Sequence, residues 1–290
     1  MFYKVADHFF QINIPEGGKN SYDFLPSFTP FIVDNPDADL LFTLTVDDSL
    51  KPDDNTDMIG DFELGDGRAK VYLLTNGGYQ YIITDNAGNS CCLLKTDKPF
   101  RNCQCALRGN ERMRRFGLND AIMFVFAFAG STKQTLLIHA STILNNGYGY
   151  PFIAKSGTGK STHSQLWLNN IPGSELMNDD NPVVRVKDGT PYIYGSPWSG
   201  KTPCYRQIFA PLGAVTRIDR AKKNSIEQLD VVSAFASFLP SCSSMKWDAD
   251  IYDGICNTIS SIIETTPIYT LHCLPDNEAA IICHKAISRA

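Results

Sequence analysis

The stretch PFIAKSGTGKSTHSQLW, from Pro151 to Trp167, decides how the rest of the chain is read. A phosphate-cradling loop follows the spacing G-x-x-x-x-G-K-S/T. The matching positions here are Ala154, Lys155, Ser156, Gly157, Thr158, Gly159, Lys160 and Ser161, with Thr162 next. Alanine stands where the pattern opens with glycine, which asks only for a small residue at a strand end. Gly157 and Gly159 allow the backbone dihedrals that turn successive N–H groups onto an anion, and a helix starting behind them adds its positive end. Lys160 is placed as a point charge for the β- and γ-phosphates, and the Ser161 hydroxyl as a ligand for Mg²⁺. Short glycine–serine patterns also make ordinary turns. The apolar YPFIA before this one and HSQLWL after it supply the strand and the helix that a P-loop requires.

Outward from the loop, the chain of 290 residues is long enough for one large domain or two modest ones. With 43% hydrophobic and 20% charged residues it has an ordinary globular composition. A formal net charge of −5 gives no sign of a general affinity for nucleic acid or anionic lipid and leaves room for a local basic site. The nine cysteines show no zinc spacing and read as reduced thiols. MFYKVADHFFQINIP has neither the apolar core nor the cleavage site of a secretory leader. AIMFVFAFAG (Ala121 to Gly130) is too short to span a bilayer and reads as a buried helix. A cytoplasmic protein, with no membrane and no nucleic-acid partner, is expected.

Residues 1–112 are expected to form a β-rich region, an antiparallel sheet. Runs such as DLLFTLTV, KVYLLT and YQYIITD are separated by turn signals such as Asn76-Gly77-Gly78. Asn119 or Asp120 is a candidate cap for the helix entering the apolar run. Residues 113–290 then read as an α/β domain of α+β, mixed-sheet character around the P-loop. Helices are expected near Ser225 to Leu239, from about Asp250 to Ile263, and after Asp276.

About twenty residues past the loop, ELMNDDNPVVRV sets Asp179 and Asp180 at the end of an apolar strand. One carboxylate of such a pair can hold a metal while the other takes a proton from an attacking hydroxyl. Their closeness raises one pKa, which suits a base. A plain Asp-Asp-Asn-Pro turn is the alternative, and the P-loop upstream favours function. His139, in LLIHAST, stands at a strand end ahead of the loop. His163 reads as a packing or capping residue of the helix.

The order His139, the loop Ser156 to Ser161, then Asp179-Asp180 resembles the HPr kinase/phosphorylase and phosphoenolpyruvate carboxykinase superfamily. Those proteins set a strand ending in histidine before an S-G-x-G-K-S/T loop and an Asp-Asp pair. The resemblance covers about residues 135 to 200, and YGSPWSGKT (Tyr194 to Thr202) is similar to a segment of uncharacterised bacterial relatives. It implies a core of that type and ATP held through Ser156, Gly157, Thr158, Gly159, Lys160, Ser161 and Thr162. It also implies Mg²⁺ on Ser161 with Asp179 or Asp180, and Asp179 as base. By the same resemblance His139 would sit near a second metal or the transferring phosphoryl group, and Ser199, Gly200 and Lys201 would close over phosphate or meet the acceptor. A homo-oligomer is a further expectation. The chain lacks the glycine-rich, glutamate-containing signature of HPr kinases and the arginine-bearing substrate segments of carboxykinases. The expected activity is phosphoryl transfer from ATP to a hydroxyl on a small molecule, peptide or protein. A nucleotide-sensing module without catalysis and a simple NTP hydrolase are the alternatives.

Overall fold

The computed structural model describes residues 1–54, 56–200 and 202–289. Alternating burial marks the first strands, Phe2–Val5 (β1) and His8–Asn13 (β2). They form a hairpin because Ala6 and Asp7 adopt φ of +49° and +59°, the two-residue turn whose twist suits paired strands. Ile32–Val33 (β3), Leu40–Val46 (β4), Asp57–Leu64 (β5), Gly67–Leu73 (β6), Tyr79–Asp85 (β7), Ser90–Thr96 (β8) and Asn102–Leu107 (β9) follow. Among the described residues these make one nine-stranded sheet in the order β3-β1-β2-β4-β9-β8-β7-β6-β5. It is mixed where an antiparallel sheet was expected, because β2/β4 and β4/β9 are parallel pairs. The chain leaves β2 through two short 3-10 helices, Tyr22–Phe24 and Pro26–Phe31. That crossover lets β4 re-enter in the direction of β2.

Glu111–Ser131 (α1) lies against this sheet. Phe124 meets Phe62 and Tyr81 at centroid distances of 5.7 and 5.6 Å, and Phe126 meets Phe10 at 6.0 Å. The expected cap at Asn119 or Asp120 is corrected: both lie inside the helix. Asn110 caps it instead, its Oδ1 accepting from the Met113 N–H at 3.1 Å. The polar ERMRR turn is helical because its arginines are anchored, Arg115 on Glu111 at 2.8 Å and Arg114 on Asp48 at 3.2 Å. The chain divides into two compact units, Met1–Gly130 and Ser131–Ala290, so α1 falls almost wholly in the first. The expected break was at 112/113.

The second unit opens with Thr135–Leu137 (β10), Ala140–Asn145 (β11) and Tyr148–Ile153 (β12). Asn146 and Gly147, at φ of +49° and +78°, turn β11 into β12. Lys160–Asn170 (α2), Glu175–Asp180 (β13), Val183–Lys187 (β14), Thr190–Tyr194 (β15), Phe209–Pro211 (β16), Val215–Arg220 (β17), Ser225–Gln228 (β18), Val231–Phe238 (α3), Ala249–Thr265 (α4), Ile268–Cys273 (β19) and Asn277–Ile287 (α5) complete it. The helix expected from Ser225 to Leu239 is corrected to a strand and a shorter helix. β18 pairs antiparallel with β19, and Asp230 starts α3 by accepting from the Val232 and Ser233 N–H groups. Strand pairing outweighs the helix propensity of that run.

Two sheets result, β10-β14-β15-β16 and β13-β11-β12-β17-β19-β18. In the larger one, β11 is antiparallel to both β12 and β13, while β12, β17 and β19 are mutually parallel neighbours. It follows that β13, β12, β17 and β19 all end on one edge. Tyr150, Phe152 and Leu271 of the sheet, Trp167 and Ile171 at α2, and Ala280 and Cys283 of α5 form its buried core. Burying each large side chain contributes about 1.5–3 kcal/mol. All nine cysteines are free thiols. Among the described residues, no helix is long and apolar enough to cross a membrane.

Candidate functional site

The loop after β12 begins where Ile153 gives way to Ala154. Gly157 and Gly159 take φ of +75° and +129°, conformations that L side chains rarely adopt. A Cβ on either would meet nothing within 4 Å, so both glycines border open space. Gly159 sits at the N-cap of α2, and no side chain caps the helix. The first-turn N–H groups have no partner within the helix itself. Lys160 folds back, its Nζ donating to the Ala154 carbonyl at 3.2 Å. Burial lowers its pKa, and Asp180 and Asp179 act in the opposite sense. Ser156, Ser161 and Thr162 are exposed around the loop, and Thr158 is half-buried.

Asp179 and Asp180 end β13 opposite Ser141 and Ala140 of β11. The strand period of two sends the paired side chains to opposite faces, and their surroundings differ accordingly. Asp179 is 6% exposed, and its Oδ1 accepts from the Ser141 hydroxyl at 2.7 Å. Ser141 Oγ also lies 2.6 Å from Ser164 Oγ on α2, a hydroxyl chain that ties the helix to the acid strand. The Asp180 side chain is 34% exposed, with His139 Nδ1 3.3 Å from its Oδ1 and Asn181 Nδ2 donating to its Oδ2 at 2.7 Å. Burial raises the Asp180 pKa; His139 and Lys160 oppose the rise and Asp179 adds to it. Burial, and then Lys160, lowers the pKa of His139 while Asp180 acts against them.

The segment after β15 closes on the acid pair. Asn178 Nδ2 donates to Ser196 Oγ and to the Trp198 carbonyl, both at 3.1 Å. Asp180 and Ser199 form an isolated β-bridge, and the Gly200 N–H donates to the Asp179 carbonyl at 3.2 Å. A Cβ at Gly200 would come within 2.9 Å of that carbonyl oxygen, so glycine permits the approach. The Ser199 hydroxyl itself is turned to the Thr202 carbonyl at 2.7 Å. Lys201 lies outside the described residues.

The structure therefore brings His139, Lys160, Asp179 and Asp180 into one electrostatic group at the shared sheet edge, with Ser199 and Gly200 beside it. Sequence reading missed Ser141 and Ser164, and it missed Arg220. Arg220 Nε donates to the Thr158 carbonyl at 3.0 Å, and Nη2 donates to that of Gly157 at 2.6 Å. A small hydroxyl in an apolar strand, another on a helix and an arginine sixty residues from the loop give no local signal. His163 is a packing residue: it lies edge-on to Phe152 at 4.6 Å and accepts from Trp167 Nε1 at 3.1 Å. Among the described residues, no three His, Cys, Asp or Glu side chains form a metal cage. One of these carboxylates with the Ser161 hydroxyl would supply oxygen donors of the kind that Mg²⁺ takes.

No family model matches this sequence, and no curated protein matches it. Among solved structures, the chain is similar to the HPr(Ser) kinase/phosphatase from Coxiella burnetii. That likeness has 9% identity and a TM-score of 0.30, over 51% of this chain and 91% of the other. It is a distant one.

Proposed function

We propose that this protein is an ATP- and Mg²⁺-dependent phosphotransferase that moves the γ-phosphoryl group of ATP to a hydroxyl acceptor. One observation carries the reading. An uncapped, glycine-shaped helix start and a pair of carboxylates share one sheet edge, with the Lys160 ammonium coupled to both acids. The α2 N-terminus and the loop amides would take the phosphate oxygens, and Lys160 would leave the Ala154 carbonyl for the β- and γ-phosphates. Asp179 and Ser161 would hold Mg²⁺, which would neutralise phosphate charge and leave the Asp180 carboxylate free for a proton.

The two acids divide the work by their surroundings. Asp179 is buried and already holds the Ser141 hydroxyl, which supports a fixed, orienting role. Asp180 is half-buried, more exposed than Asp179, and burial raises its pKa, which supports it, ahead of Asp179, as the base. In the reaction the acceptor O–H proton passes to the Asp180 carboxylate and the oxygen forms a bond to the γ-phosphorus. The bond to the β–γ bridging oxygen breaks, and its electron pair leaves with ADP. His139 braces the Asp180 carboxylate, and Ser199 and Gly200 line the approach to it.

The test supplies ATP labelled at the γ-position, with Mg²⁺ and cell extract, to wild type and to Asp180→Asn. Label is expected on an extract component in wild type and absent in the variant, which keeps its ATP affinity. Label released only to water under every condition would make the protein a hydrolase instead.

A further inference from the structure

The strands that carry the loop continue past it. β17 and β19 end beside β12 on the same edge, on the side away from β13 and its acids. A pocket of about 370 Å³ opens there, bounded on the loop side by Gly159 and Thr162. Leu166, Ile218, Leu274 and Pro275 give it apolar walls. Arg220 stands at its margin while spanning two loop carbonyls. Ligands of open α/β sheets settle outside the carboxyl ends of parallel strands, and organic ligands take mainly apolar pockets with a few converging polar groups.

His163 supplies such a polar group. It lines the pocket and is 2% exposed. Its Nε2 accepts from Trp167 Nε1 at 3.1 Å, so the ring proton resides on Nδ1. That Nδ1–H has no partner among the described residues. A buried donor left unpaired costs about 1–3 kcal/mol, which a ligand acceptor atom would relieve.

We infer that this pocket takes the purine base and ribose of the nucleotide whose phosphates the loop holds. The nucleotide then lies along the sheet edge, base over β17 and β19 and terminal phosphate toward Asp180. This rests on the phosphate-binding reading above, and the test separates the two. Calorimetric titrations with ATP, adenosine and inorganic tripolyphosphate, all with Mg²⁺, compare wild type with Leu274→Trp. Leu274 is 39% exposed, so the larger ring can be carried without rebuilding the core. Filling the pocket is expected to weaken ATP and adenosine by about tenfold or more and to leave tripolyphosphate unchanged. Equal ATP and adenosine affinities in the two proteins would overturn the inference. Loss of tripolyphosphate binding in wild type, with adenosine still sensitive to Leu274→Trp, would remove the phosphate reading and keep the pocket. As a measurement independent of any variant, the ¹⁵N resonance of His163 Nδ1 in wild type should move on adding adenosine. A resonance unmoved at saturating adenosine would count against the pocket.

Discussion

Ser141→Ala should destabilise the second unit more than Ser164→Ala does, although both remove one buried hydroxyl. Both serines are 1% exposed. Asp179 as a carboxylate only accepts, so the single Ser141 proton is committed to its Oδ1 at 2.7 Å. The 2.6 Å contact between the two hydroxyls is then donated by Ser164. Alanine at 141 breaks both bonds, leaving a buried carboxylate short of a donor and a buried hydroxyl short of an acceptor. Alanine at 164 breaks only the second. A hydrogen bond to a charged group contributes about 1.5–3 kcal/mol and a neutral one about 0.5–1.5. Ser141→Ala should therefore cost about 2–4 kcal/mol and Ser164→Ala about 1. Urea unfolding followed by far-UV circular dichroism measures both. In heat the first corresponds to a drop of about 5–15 °C, at the few degrees per kcal/mol of a unit this size. The rate of the proposed phosphoryl transfer should fall in Ser141→Ala as well, because Asp179 loses the donor that orients it. Equal costs for the two variants, or a Ser141→Ala protein as stable as wild type, would refute the proton assignment and with it the fixed role of Asp179.

Burial, with a smaller push from Asp66 and an opposing hydrogen bond from Asn119, raises the Asp120 pKa to about 7. The unfolded chain releases this proton near pH 3.9. Between those values the folded state binds the extra proton, so the contribution of this carboxyl to stability is fully present below about pH 4 and is lost as pH rises to about 7. The loss has an upper bound of about 4 kcal/mol at about 1.4 kcal/mol per unit. Asp120→Asn should flatten this slope and gain stability at pH 8, read from urea midpoints at pH 5 and 8; a variant with the wild-type slope removes Asp120 as its source. Gly159→Ala meets no neighbour within 4 Å, so its cost is the strain of φ +129° alone, of order 1–3 kcal/mol. If the loop relieves that strain by moving, ATP affinity should fall about tenfold with little change in far-UV circular dichroism. Unchanged affinity would mean that the amides at this position do not hold phosphate.

Legibility followed the range of the interaction. The loop and the acid pair were readable because each is contiguous: Gly157, Gly159 and Lys160 announce a backbone shape, and Asp179-Asp180 a chemical pair. The α4 and α5 helices were readable too, since Asp248 and Asp276 cap them locally. The start of α1 was missed because its polar first turns are held by Arg114 reaching Asp48 and Asn20, contacts made far along the chain. β18 was misread as helix for a related reason, as its hydrogen bonds lie on β19 and not in its own sequence. The same distinction separates the two kinds of residue at the site. Groups proposed to meet the ligand sit in motifs, whereas the groups that aim them come from other elements: Ser141 and Ser164 for Asp179, and Arg220 for the loop carbonyls. An edge shared by four strand ends makes this division possible. It lets a short glycine loop and a short acid turn be written locally while the sheet sets the distance between them. A motif search on such a chain finds the groups proposed to react and stays blind to their spacing, so the hydroxyl chain and the arginine brace are where substitutions should test the proposed site.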